Sequence, residues 1–159
     1  MIINFGSINI DHVYRVSHMP APGETLAVKS HQRFLGGKGA NQSIAIAKSG
    51  GDVRHVGAVG KDDLWPIDAL RQAGVSPDHL IEVEAPTGHA VIMVNDEGEN
   101  QILIYGGANQ CLAYEQIVHE LNEGGGEGNW VLLQNETNLA LDIVREAKER
   151  GFKIAYSAA

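Results

Sequence analysis

Gly36-Gly37-Lys38-Gly39-Ala40-Asn41, running on through Gln42-Ser43-Ile44-Ala45-Ile46-Ala47-Lys48-Ser49 to Gly50-Gly51, is a glycine-rich turn that opens directly into a helix. Ala40, Ile44, Ala47 and Lys48 carry the helical spacing, and Gly50-Gly51 stops it. Glycines let the backbone approach a ligand closely, and the first turn of the helix offers unpaired N–H groups with positive dipole character. An oxygen-rich ligand suits such a segment; a purely structural strand-to-helix turn is the other reading. It is not a nucleotide P-loop, because Gly39 rather than Ser or Thr follows Lys38 and the required upstream glycine is missing. Nor does it fit Gly-x-Gly-x-x-Gly.

Working outward, Ile2 to Ile8 is short, β-branched and closed by Gly6-Ser7, which predicts a buried strand delivering Asn9 and Asp11 at its C-terminal end. Thr25 to Phe34 alternates as a half-exposed strand or hairpin would. Val53 to Val59 predicts a strand and Leu64 to Ala73 a helix ended by Gly74. His89 to Val94 and Gln101 to Tyr105 flank the polar turn Asn95-Asp96-Glu97-Gly98-Glu99-Asn100, the pattern of a β-hairpin. Trp130 to Gln134 predicts a strand, Leu139, Ala140, Ile143, Val144 and Ala147 one apolar helix face, and Phe152 to Tyr156 a further strand. Strand and helix alternate in three places, so the expected fold class is α/β: a parallel sheet flanked by helices, with a small antiparallel β lid. The chain stops within or just after a strand, at Ser157-Ala158-Ala159, where a doubly wound sheet would continue into another helix.

The 159 residues have the makeup of one globular domain, and 12 basic against 20 acidic residues give a net charge of −8. That field opposes nucleic acid and anionic membrane surfaces, so neither partner is expected. The single Cys111 allows no internal disulfide, no Cys/His run has metal-ligand spacing, and no secretory or membrane-spanning segment is apparent; the expected location is the cytoplasm. Trp130 and Cys111 read as core, Trp65 as a packing residue, and the histidines show no pairing.

Asn9 and Asp11 stand two apart, so a persisting strand points both to one side. A carboxylate accepts two hydroxyl hydrogen bonds, and an amide donates and accepts, which together match vicinal sugar hydroxyls. An Asx-turn leaving the strand is the alternative.

The stretch Gly6-Ser7-Ile8-Asn9-Ile10-Asp11, then Pro22-Gly23-Glu24-Thr25, then Gly36 to Gln42, then Thr87-Gly88 with Glu97-Gly98-Glu99-Asn100, and finally Gly107-Ala108-Asn109, resembles the ribokinase (pfkB-type) family in order and spacing. The resemblance implies a ribokinase-like domain over residues 1–159, sugar-binding and N-terminal, with lid strands about 12–34 and 89–105 and an absent C-terminal part that binds ATP. It implies that Asp11, Asn9 and Asn41 bond sugar hydroxyls, that Gly37 and Lys38 close the sugar's edge, and that Glu136 is an acidic sugar contact. Ala90, Ile92 and Ile104 match apolar lid positions over the sugar, although ordinary hairpin packing explains them equally. The family's catalytic aspartate sits in a Gly-Ala-Gly-Asp segment that is not in this sequence, so no catalytic residue and no metal ligand is assigned. ATP, Mg2+ and a monovalent cation (K+) are implied as cofactors bound mainly by the missing half.

The implied activity is ATP-dependent phosphorylation of a sugar, ribose first, at its primary hydroxyl, with a homodimer formed through the lid. A fructose or nucleoside kinase of the same family, or a non-catalytic sugar-binding or dimerisation module, is the alternative. Two positions depart from the family pattern: Lys61-Asp62-Asp63 runs into Leu64-Trp65-Pro66, and His89 replaces a small apolar residue, where it is structural, touches the sugar or meets a partner subunit.

Overall fold

The computed structural model describes residues 1–158. The strands Ile2–Phe5 (β1), Val53–Gly60 (β4), Leu80–Val83 (β5), Trp130–Gln134 (β8) and Lys153–Ser157 (β9) form the body sheet. They lie in the order β5-β4-β1-β8-β9, and every pairing is parallel. Parallel strands need crossovers, and the helices Lys38–Lys48 (α1), Trp65–Gln72 (α2), Tyr114–Glu123 (α3) and Ala140–Glu149 (α4) supply them. Side chains alternate across β1, so Ile3 and Phe5 face one layer and Asn4 the other.

Two cores result. Ile3, Phe5, Val56, Val131 and Leu133 pack with Ile117 and Leu121 of α3 and Ile143 and Ala147 of α4. On the opposite face Ile8 and Val59 pack with Ala40 of α1 and Leu70 of α2. This is the parallel sheet with flanking helices expected from the alternation.

A second sheet stands apart from the body. It consists of Asn9–Arg15 (β2), Ser30–Gly36 (β3), Gly88–Val94 (β6) and Asn100–Tyr105 (β7), in the order β3-β2-β6-β7. The hairpin β6-β7 is antiparallel as its turn predicts, β2 pairs antiparallel with β3, and the central pair β2-β6 is parallel.

Several expectations need correction. The first strand ends at Phe5, and Asn9 and Asp11 belong to β2, where they open the lid instead of closing a body strand. The strand expected at Thr25 to Phe34 occupies Ser30–Gly36; residues 25–29 are in no strand. Helix α3 and strand β5 were not anticipated. Trp130 is not core: it is 40% exposed at the start of β8, with Lys153 lying 5.5 Å from its ring. Cys111 is only half-buried. The histidines do pair, since His12 Nδ1 meets His31 Nε2 at 3.1 Å across β2-β3, and His89 stands edge-on to His12 on the same lid face.

The altered segment around Trp65 has a visible consequence. Arg33 of β3 forms an ion pair with Asp63 and lays its guanidinium 5.1 Å from the centre of the Trp65 ring. Trp65, 37% exposed, therefore tethers the lid to the body and does not fill a core.

Candidate sugar-binding site

The lid and body meet where β1 ends, and this junction gathers most of the residues singled out above. Gly37 adopts φ 92°, and a β-carbon there would lie 2.6 Å from the Ser7 carbonyl oxygen, so only glycine fits the turn into α1. The turn places Lys38 beside Glu136, which follows β8 and Asn135. Glu136 Oε1 pairs with the Lys38 ammonium, while Oε2 accepts from the Ser7 hydroxyl and, at 3.2 Å, from the Lys38 backbone N–H. Burial works against ionisation of Glu136, but these three hydrogen bonds outweigh it and hold the carboxyl below its ordinary range.

Asn9 is buried, and its Oδ1 accepts from Asn109 Nδ2 at 2.8 Å. Asn109 is fixed in turn, accepting from Ile8 N at 2.8 Å and donating to Ile8 O at 3.1 Å. The Asn9 amide is thereby oriented with its own N–H groups left to donate. Asn9, Ile104, Gly106, Asn109, Gln110, Asn135 and Glu136 line one cavity of about 270 Å³.

Asp11 presents a carboxylate that makes no hydrogen bond among the described residues. It lies over Gly36, where a β-carbon would come within 2.3 Å of Asp11 Oδ2. Burial and, second, the charge of Glu136 push its pKa above the ordinary value, with His12 pulling the other way. Two carboxylates thus share a partly desolvated space, an arrangement that hydroxyl donors from a ligand would relieve.

The lid residues fall into register with it. Asp11 pairs with Ala90, and Ala90 with Ile104, so the three form a row on one face, with Ile92 two residues further along. Ala90 is buried, whereas Ile104 is 68% exposed. Asn41 lies exposed on the first turn of α1, its side chain without a hydrogen bond among the described residues. The structure thus brings Asn9, Asp11, Gly37, Lys38, Glu136, Ala90 and Ile104 around one junction, and puts Ile92 and Asn41 at its margins.

Sequence reasoning misses Ser7 and Asn109 as site residues and holds them only as parts of motifs. Their role as partners of Glu136 and Asn9 depends on contacts 129 and 100 residues apart in the chain, which no local pattern announces.

Comparison with known proteins agrees with this fold. The chain is 35% identical over 159 residues to the ribokinase of Haemophilus influenzae, covering 97% of this chain and 52% of that protein. It is 33% identical to the ribokinase of Arabidopsis thaliana, across 96% of this chain and 42% of the relative. Among solved structures, the ribokinase of Thermotoga maritima superposes with a TM-score of 0.84 at 36% identity, over 98% of this chain and 52% of that one. Arabidopsis thaliana ribokinase, solved with ribose and ATP, superposes with a TM-score of 0.83 at 30% identity, over 99% and 53%. The chain therefore spans about half the length of the relatives it matches. The model for pfkB family carbohydrate kinases matches residues 1–150, and the chain belongs to that family.

Proposed function

We propose that this chain supplies the sugar-binding half of an ATP-dependent kinase that phosphorylates the primary hydroxyl of a pentose, ribose. The observation that carries this reading is the junction itself: Asp11 presents a partly buried carboxylate that burial and the charge of Glu136 hold above its ordinary pKa, and Glu136 lines a cavity together with Asn9 and the lid residue Ile104. Hydroxyl groups donate to carboxylates, and the Asn9 amide donates to a hydroxyl oxygen, so a polyol enters this space with its hydrogen bonds satisfied. The ribose bound in the Arabidopsis thaliana ribokinase structure supports the choice of sugar.

The chain's own part in the reaction is positioning. Asp11 and Asn9 fix the hydroxyls from the lid side, Glu136 and Lys38 fix the edge from the body side, and Ala90 with Ile104 excludes water above. ATP, Mg2+ and a monovalent cation enter the proposal through the family resemblance. ATP supplies the phosphoryl group when bound, and no cluster of metal-ligating side chains stands among the described residues. No helix among them is long and apolar enough to cross a membrane.

The test is turnover by the full-length protein that carries this sequence, with ribose, fructose and a nucleoside as competing acceptors. Ribose is expected to give a kcat/KM at least about tenfold above the other two, a difference of roughly 1.4 kcal/mol in transition-state binding. A preference for fructose or the nucleoside, or no phosphorylation of any of them, removes the ribose reading.

The lid supports a second part of the proposal. Phe34, Ile102 and Ile104 share its sugar-side face and are 48%, 49% and 68% exposed, and β3 and β7 are both open sheet edges. Apolar surface left in water costs about 25 cal/mol per Å², and a second lid laid against the first would remove it. The full-length protein is expected to be a homodimer by light scattering at micromolar concentration, and Ile102→Asp to shift it toward monomer. A wild-type monomer at that concentration rejects the lid-to-lid dimer.

A further inference from the structure

Beneath the Gly36–Gly39 turn the body sheet meets α1 through polar side chains where an apolar core would be usual. Gly6 and Gly39 touch backbone to backbone, since a β-carbon on Gly6 would lie 2.6 Å from Gly39 Cα. Two glycines have no side chains with which to lock that contact. The locking groups come from deeper in the sheet: Asn4 of β1, His55 of β4 and Ser43 of α1, all fully buried.

Their hydrogen bonds, together with the Gly6–Gly39 contact, close a ring. Asn4 Nδ2 donates to the Gly39 carbonyl at 2.9 Å and to Ser43 Oγ at 2.8 Å, which uses both of its N–H groups. Ser43 Oγ, having accepted, has one proton to give, and His55 Nδ1 stands 2.8 Å away to take it. His55 Nε2 lies 3.2 Å from the Gly6 carbonyl, an acceptor only, so the imidazole carries its proton on Nε2. Gln134 Nε2 steadies the ring from β8, donating to Asn4 Oδ1 at 2.9 Å and to Gln42 Oε1 at 2.6 Å. This proton arrangement satisfies Asn4, Ser43 and His55, and the bonds tie α1 to β1, β4 and β8.

We propose that His55, acting through Ser43 and Asn4, is a positioning residue that sets the height of the Gly37–Lys38 turn against β1 and so the placement of Lys38 and Glu136 around the sugar. Its functional half rests on the sugar-site reading above. Lys38 is bonded to Glu136, which lines the cavity, and Gly39 to Ser7, which is bonded to Glu136 in turn, so a shift of α1 along the sheet moves the Lys38 ammonium and the Glu136 carboxylate together. Apolar packing of similar volume would fill the space without choosing a register; a directional ring chooses one.

The experiment compares full-length wild type with His55→Phe, Ser43→Ala and His55→Gln. Phenylalanine keeps bulk and loses both hydrogen bonds, while glutamine keeps one acceptor and one donor. Amide hydrogen exchange of residues 37–40 reads the ring without any ligand. It is expected to quicken about tenfold or more in His55→Phe and Ser43→Ala, to recover in His55→Gln, and to stay unchanged at β9. With ribose, KM is expected to rise about tenfold in the first two variants with kcat within about twofold, the signature of lost binding common to ground and transition states. Exchange that is unaltered at 37–40, or raised equally throughout the sheet, overturns the proposal, as does a glutamine variant no better than phenylalanine. If His55→Phe fails to fold, Ser43→Ala decides. Should the wild type not phosphorylate ribose, the sugar reading falls while the exchange comparison still decides the role of His55.

Discussion

Replacing Asp11 with alanine is expected to weaken ribose binding by the full-length protein about a hundredfold while leaving its thermal stability intact. The carboxylate accepts two sugar hydroxyls in the proposed mode, each charge-assisted bond contributing roughly 1.5 kcal/mol, so the pair is worth about 3 kcal/mol. Stability should not fall, because Asp11 has no hydrogen-bond partner among the described residues and its charge is opposed by burial and by Glu136. Removing it relieves a repulsion. Asp11→Asn keeps one acceptor and should fall between the two. Because the Asp11 pKa is raised, ribose affinity should also decline on mild acidification before an ordinary aspartate would protonate. Calorimetric titration with ribose measures the affinity and a thermal melt the stability. An unchanged dissociation constant removes Asp11 from the site, and a parallel loss of stability makes it a scaffold residue.

The contrast with Glu136 explains how much of the site could be read from the chain. Asp11 announces itself locally, two residues from Asn9 on one strand, and the turn Gly36–Gly39 is a contiguous motif whose φ at Gly37 follows from residue type. Glu136 shares the site through partners 129 and 98 residues away, Ser7 and Lys38. Family resemblance pointed to Glu136; the ionisation that keeps it charged is a property of the assembled junction.

The sheets divide the same way. Periodicity in Val53–Gly60 and Trp130–Gln134 predicts strands correctly because both are buried in the body. It does not say which sheet a strand joins. Asn9–Arg15 follows β1 after only a short break, yet it pairs with β3 and β6, and its partners Leu35 and His89 lie 25 and 79 residues away from Ile10. Helix α3 carried a usable signal in Ile117 and Leu121, four apart and fully buried, but its polar remainder and the neighbouring glycine run concealed it. Trp130 misled through composition: a tryptophan at a strand start can rest one face under Lys153 and leave the rest in water. The pairing of His12 with His31 follows from the β2-β3 register, in which Val13 lies opposite Gln32 and Tyr14 opposite His31.

Full burial of His55 sets the last expectation, an acid-dependent loss of stability centred on one side chain. Burial pushes its pKa down to about 4 from the ordinary histidine value of 6.5, and the bond to the Gly6 carbonyl only partly opposes that shift. Above pH 6.5 the imidazole is neutral in both folded and unfolded chains, so it contributes no pH dependence there. As pH falls below 6.5 the unfolded chain takes up the proton and the folded chain does not, and stability declines until the folded group protonates near pH 4. The full shift corresponds to roughly 3 kcal/mol, of which about 2 kcal/mol should already be lost at pH 5. Glu136, with a lowered pKa, adds acid sensitivity of the same sign, and Asp11, with a raised one, opposes it. A comparison that changes only position 55 separates these contributions. His55→Gln keeps an acceptor toward Ser43 and a donor toward Gly6 but cannot titrate, so its stability should be flatter between pH 6.5 and 4 than that of the wild type. Denaturant unfolding of both full-length proteins at pH 7 and pH 5 measures the difference, and equal losses in the two would mean that His55 is protonated, or reached by water, in the folded protein.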